Sequence, residues 1–198
     1  MAHCPADVAT QGALMTTILC LCGSLRRESH NRAALEAAQI LAPSNVALQI
    51  ADISTLPLFN PDSTPNTAVI SLFQAVASAD GVLIASPEYA RGISGVLKNA
   101  LDWLVSDECF PNMPVALINT SPRASDAIKA LTLVLKTMSA NIVAPACISL
   151  PLLSTALKSK DIAADAKLAP ALRRMLDTLV KETKNNPRLA AIEKGPAQ

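Results

Sequence analysis

The feature that most constrains this chain is the regular exchange of two hydrophobic periods along it. Five short apolar runs, at residues 17–22, 46–51, 82–85, 115–118 and 142–150, carry little polar interruption. Each stops at turn-forming residues: Gly23, Asp52, Ser86-Pro87, Asn119-Thr120-Ser121-Pro122 and Pro151. Such runs predict strands buried on both faces, the fifth broken at Pro145. Helical spacing occupies 31–41, 68–79, 95–105, 125–138 and 171–181. The last carries Leu172, Met175, Leu176 and Leu179 at i, i+3, i+4, i+7, with Pro170 suited to its first turn. Strict βα alternation predicts an α/β fold, a doubly wound parallel sheet with helices on both faces. Five strands and five helices in 198 residues fit a flavodoxin-like domain better than a barrel. Right-handed crossovers then place a ligand at the carboxyl ends of the strands, near the topological switch point.

Composition narrows the partners. Lys plus Arg is 17 and Asp plus Glu is 16, so the net charge of +1 offers no electrostatic case for nucleic acid or an anionic membrane. No uncharged apolar run reaches the ~18 residues of a membrane span. Asp7 stands where a signal peptide needs a basic start, so none is expected. The five cysteines, at 4, 20, 22, 109 and 147, form no CxxC, and His3 and His30 are the only histidines. Neither a disulfide framework nor a zinc site is expected, which predicts a reducing, cytoplasmic setting. Cys20 and Cys22 read as small core residues on one face of the first strand. Aromatics are only 3%, so the core must be aliphatic. Residues 1–14 read as a flexible extension, with Met15 an alternative natural start; 15–183 form the domain and 184–198 a loose tail.

Two loops carry the polar chemistry. The first, Gly23-Ser24-Leu25-Arg26-Arg27-Glu28-Ser29-His30-Asn31, runs from strand one into a helix N-terminus, where free N–H groups and the helix dipole attract an anion. Ser24, Ser29 and Asn31 can donate to phosphate oxygens, and Arg26 can add a charge-assisted pair. A helix N-cap at Ser29 with solvated arginines accounts for the same residues. No GxxxxGK[ST] or GxGxxG occurs, so the pattern suits a mononucleotide monoester. The second loop, Ser86-Pro87-Glu88-Tyr89-Ala90-Arg91-Gly92-Ile93-Ser94-Gly95, follows the central strand and suits a flat heterocycle, with Gly92 relieving a steric barrier. The helix after it is apolar over about 200° of its wheel, against ~100° for an ordinary surface helix. Either a second subunit or a crowded monomer covers the excess. Hydrolase chemistry is not supported: there is no GxSxG, and Glu88 has no carboxylate mate.

Together the loops resemble the NADPH-dependent FMN reductase family, which includes quinone, azo-dye and chromate reductases. Residues 23–31 match its G-S-x-R-x-x-S-x-N at every fixed position. Pro87, Glu88, Tyr89, Gly95, Leu97, Lys98, Asn99, Ala100, Leu101, Asp102 and Trp103 match its P-E-Y-N-x-S-x-x-G-x-L-K-N-A-[IL]-D-W. The resemblance covers roughly residues 15–180. It implies FMN as cofactor, NADPH or NADH as donor of a hydride, and a small-molecule acceptor such as a quinone, azo compound or free flavin. It also implies a homodimer or homotetramer, through the 95–105 helix. Ser24, Arg26, Ser29 and Asn31 would hold the FMN phosphate. Pro87, Glu88, Tyr89, Ala90 and Gly92 would border the ring, Ala90 and Gly92 through backbone alone because the family has Asn and Ser there. Thr120, Ser121 and Arg123 would complete the ring site, or Arg123 would pair with an NADPH phosphate. No side chain is expected to be a nucleophile, because the cofactor carries the chemistry. The alternative is a non-catalytic flavodoxin-like protein that senses or stores a mononucleotide.

Overall fold

The computed structural model describes residues 15–121, 125–152 and 158–185. Its main strands are β1 (Thr16–Cys22), β2 (Val46–Ile50), β3 (Gly81–Ala85) and β6 (Pro114–Asn119). Two short strands, β4 (Glu88–Tyr89) and β5 (Gly92–Ile93), form a separate hairpin. A last pair, β7 (Asn141–Ile142) and β8 (Ile148–Ser149), occupies one edge of the sheet. The helices are α1 (His30–Leu41), α2 (Thr67–Ala77), α3 (Gly95–Leu104), α4 (Asp126–Thr137), α5 (Ser159–Ala164) and α6 (Leu168–Lys184). All sheet pairings except the hairpin's are parallel, in the order β2-β1-β3-β6-β7, with β8 also on β6. This is a flavodoxin-like sheet. Its switch point lies between β1 and β3, because the chain leaves β1 for β2 and returns across to β3.

The period of two along each strand divides the core. Ile18, Cys20, Cys22, Leu83, Ala85, Ala116 and Ile118 face Ala34 and Leu35 of α1, Ile162 of α5, and Leu172 and Leu176 of α6. Leu19, Leu21, Val82, Ile84, Val115 and Leu117 face Val69 of α2, Leu97 and Leu101 of α3, and Leu131 and Leu135 of α4. Cys20 and Cys22 do share one face, and both are buried. Burial pushes the Cys20 thiol up to about 12 and also raises Cys22, so both stay protonated near neutral pH.

Three expectations change. The apolar stretch 142–150 is not one strand. It is two two-residue strands separated by a 3-10 turn at Ala144–Ala146, because Pro145 has no N–H to give a ladder. β7 pairs at the start of β6 and β8 at its end, so the edge keeps its place despite the break. The final helix is longer than 171–181, starting at Leu168 and ending at Lys184. Asp165 accepts from the Lys167 and Leu168 amides and so satisfies donors at that start, while Pro170 lies within the first turn, where its missing N–H is no loss. The hairpin 88–93 and helix α5 carry too few residues for a period to show. The 1–14 extension and residues 186–198 of the tail lie outside the described residues.

The wide apolar arc of α3 is largely covered within the monomer. The loop 51–66 docks on it: Trp103 Nε1 and Asn99 Nδ2 both donate to the Pro57 carbonyl at 2.9 Å, and the Phe59 amide donates to Asn99 Oδ1 at 2.8 Å. The Phe59 ring meets Trp103 edge-on, with centroids 5.1 Å apart. Trp103 is buried, while Val105 at the helix end and Leu58 in the loop stand exposed.

Candidate functional site

Polar side chains that are buried must be satisfied or used. Eight are buried among the described residues. Six of them, Ser24, Ser29, Asn31, Ser86, Ser94 and Thr120, gather at the carboxyl ends of β1, β3 and β6. That concentration marks the site without appeal to any motif.

The approach of the β1 and β3 ends builds it. The Gly23 amide donates to the Ala85 carbonyl at 2.8 Å, carrying the β1–β3 ladder one step into the loop. A Cβ on Gly23 would sit 2.3 Å from Ser86 Oγ and 2.9 Å from Ser94 Oγ. Glycine is needed here for close approach rather than for a left-handed backbone. Past it the chain turns into α1. Ser29 caps the helix, its Oγ accepting from the Arg32 amide at 3.2 Å. Ser24 Oγ accepts from the Arg26 amide at 3.4 Å. A hydroxyl that accepts from a backbone N–H still has its own hydrogen to give. Asn31 accepts through Oδ1 from Thr120 Oγ1 at 3.0 Å, which leaves its Nδ2 to donate. The amides of His30 and Asn31 are orphan donors of the first turn, with no hydrogen bond among the described residues. Ser24, Ser29 and Asn31 thus all present donors at one helix N-terminus.

These groups line a cleft of about 260 Å³. Ser24, Arg26, Ser29 and Asn31 form one wall, Pro87, Glu88 and Tyr89 the facing one, and Thr120 and Ser121 the floor between. Nine of the expected site residues therefore meet in one place. Glu28 and His30 also line it, at positions that the motif of the first loop leaves open. Thr120 has a supporting role as well, tying the end of β6 to Asn31. Arg123 lies outside the described residues.

Ala90 and Gly92 do not line the cleft. They lie at the tip of the β4–β5 hairpin, where Tyr89 pairs with Gly92. Ala90 and Arg91 have φ of 47° and 62°, so both central residues of the two-residue turn are left-handed. The family's Asn at position 90 thus answers a backbone demand, since Asn tolerates this region better than Ala. A Cβ on Gly92 would make only an ordinary contact, 3.6 Å from the Tyr89 carbonyl oxygen, so steric relief is not what the turn requires there.

Glu88 has a second duty. Its Oε2 accepts from the Asp126 and Ala127 amides, both at 2.9 Å, at the start of α4. Ser125, the residue before that helix, makes no side-chain cap. A carboxylate from a distant loop therefore caps α4, with a favourable dipole interaction. The hairpin is fixed against α4, and the Glu88 charge is engaged rather than free to repel an anion. Arg91 adds an ion pair to Asp126 at 3.4 Å, but it is too exposed to contribute much.

A doubly wound parallel sheet with a hydroxyl-rich cleft at its strand ends is the flavodoxin-like α/β architecture. The chain belongs to the NADPH-dependent FMN reductase family, whose profile matches residues 16–151. It is 41% identical over 104 residues to a 2-hydroxy-1,4-benzoquinone reductase of Burkholderia sp, covering 50% of this chain and 57% of that protein. It is 38% identical over 109 residues to an NAD(P)H-dependent FMN reductase of Pseudomonas aeruginosa, covering 52% of this chain and 59% of that one. The match therefore spans under two thirds of these relatives' own length. Among solved structures, it resembles FerB, a flavoenzyme NAD(P)H:(acceptor) oxidoreductase from Paracoccus denitrificans. The TM-score is 0.70 and the identity 26%, over 86% of this chain and 98% of FerB.

The hairpin geometry yields a stability prediction. Ala90→Asn should raise the unfolding free energy by ~0.5–1 kcal/mol, by relieving part of the left-handed cost. Urea denaturation measures it; an unchanged or lower midpoint would contradict the strained turn.

Proposed function

We propose that this chain is an NAD(P)H-dependent FMN reductase-type oxidoreductase acting on a quinone or similar small acceptor. One observation carries the reading. Two loops some sixty residues apart, each with the family's fixed residues, form the two walls of one cleft. FMN, when bound, would supply the redox chemistry, carrying electrons from NADPH or NADH to a quinone, azo compound or free flavin.

The protein's part is binding and orientation. Ser24 and Ser29 hydroxyls, the Asn31 side-chain amide and the first-turn N–H groups would donate to the phosphate. Arg26 would offset its charge, which is the donor set a monoester dianion requires. Pro87 and Tyr89 would border the ring, while Glu88 holds that wall rigid through α4. The enclosed volume is below the ~300 Å³ of the smallest drug-sized sites, so it suits the phosphate end and leaves the flat ring open to donor and acceptor. No side chain is required as nucleophile. The Burkholderia relative's name favours quinones among the acceptors.

Residues 15–183 constitute the FMN-binding domain on this reading. Four free thiols among the described cysteines suit a reducing, cytoplasmic compartment. Among the described residues no helix is long and apolar enough to cross a membrane. Self-association as a homodimer or homotetramer would use the α3 side, where Leu58 and Val105 are 86% and 64% exposed.

Arg26→Ala should weaken FMN by ~1.5–3 kcal/mol, the range for a hydrogen bond to a charged group. The purified protein should oxidise NADPH with a benzoquinone acceptor. Unchanged FMN affinity in the variant would remove Arg26 from the phosphate site; FMN binding without turnover would favour the sensor alternative. Light scattering at micromolar concentration should give a multiple of 20.7 kDa, and a single 20.7 kDa particle would refute the oligomer.

A further inference from the structure

Thr120 reads from the sequence as a flavin-ring contact, but its place in the structure gives it a different task. It follows the last residue of β6, and bonds on both sides hold its backbone. The Asn119 carbonyl accepts from the Leu150 amide at 2.8 Å, and the Thr120 carbonyl from the Leu152 amide at 3.0 Å. The Ser121 amide donates to Asn119 Oδ1 at 3.0 Å. Thr120 is β-branched, so a fixed backbone leaves its hydroxyl few directions. That hydroxyl is buried and donates to Asn31 Oδ1 at 3.0 Å.

Asn31 is only 5% exposed, yet it lines the cleft. Its Nδ2 has no partner among the described residues, so a nearly buried amide keeps two N–H donors for a ligand. Which way that amide points decides what it can bind. The two ends of an Asn side chain are alike in shape and opposite in polarity. With Nδ2 toward the cleft it donates to an anion; with Oδ1 there it repels one. No other described residue bonds this side chain, so nothing on α1 chooses between the two. Thr120 does choose. Its hydroxyl has no acceptor but Oδ1 among the described residues, and a flipped amide would leave that hydrogen unpaired. We infer that Thr120 is a positioning residue that turns the donor end of Asn31 into the cleft, and so raises the preference for FMN over riboflavin. The inference rests on the FMN reading above. The β8 edge thereby serves the site, because the Leu150 and Leu152 amides that follow it hold Thr120 in place.

The test is a fluorescence-quenching titration of the full chain with FMN and with riboflavin. Thr120→Val keeps the shape and removes the hydroxyl. It should weaken FMN about tenfold and change riboflavin by no more than about twofold. Thr120→Ala should repeat that pattern, so the outcome does not hang on one variant folding. Thr120→Ser keeps the donor and should recover most of the loss. In an Asn31→Ala background, Thr120→Val should weaken FMN no further, since the two side chains act as one unit. Equal losses for both flavins would return Thr120 to the ring and overturn the inference. So would an FMN loss that persists without the Asn31 side chain, or Thr120 variants that bind FMN as the parent does. If the parent holds neither flavin, the reductase reading fails, and calorimetric titration with inorganic phosphate then decides the inference alone. Phosphate binding weakened by Thr120→Val and restored by Thr120→Ser supports it; phosphate binding indifferent to both overturns it.

Discussion

The site depends on the close approach of Gly23 to Ser86. Those residues end neighbouring strands, and nothing larger than hydrogen fits between them, since a Cβ would fall 2.3 Å from Ser86 Oγ. The contact brings the loop after β1 alongside the loop after β3. The donors at the α1 N-terminus then face Pro87 and Tyr89 across one cleft. Any side chain at position 23 would push the walls apart, and the orphan amides would face water instead of a ligand.

Much of this was legible in the sequence because buried parallel strands are unusual in being apolar without alternation. The four main strands emerged that way, and their order follows from right-handed crossovers. Periodicity lost force where segments were short or a proline intervened. The six residues of α5 carry one buried apolar side chain, Ile162, and hence no pattern. The edge formed by β7 and β8 reads as a single run because Ile142, Val143 and Ile148 are apolar whether or not Pro145 interrupts their ladder.

The candidate site shows a different limit. A motif names residues but not what each does. Glu88 is part of the cleft wall, yet its carboxylate is bonded to the start of α4. Asn99 and Trp103 sit in the second motif and hold the Pro57 carbonyl, not a ligand. Position 90 reads as a ring contact and proves to be a left-handed turn residue. The roles of Glu88, Asn99 and Trp103 need partners 30 to 50 residues distant, which spacing along one chain cannot disclose. The first loop was more legible because its chemistry is local: Ser29, Asn31 and the first-turn amides share one helix end.

The central claim is that the cleft recognises a flavin by its phosphate. It is tested most directly by comparing FMN with riboflavin in a fluorescence-quenching titration of the same protein. The two share the ring and differ in the phosphate that Ser24, Arg26, Ser29, Asn31 and the helix end would hold. Several charge-assisted hydrogen bonds predict that FMN binds at least ~100-fold more tightly. Equal affinities, or retention of neither ligand, would contradict the account.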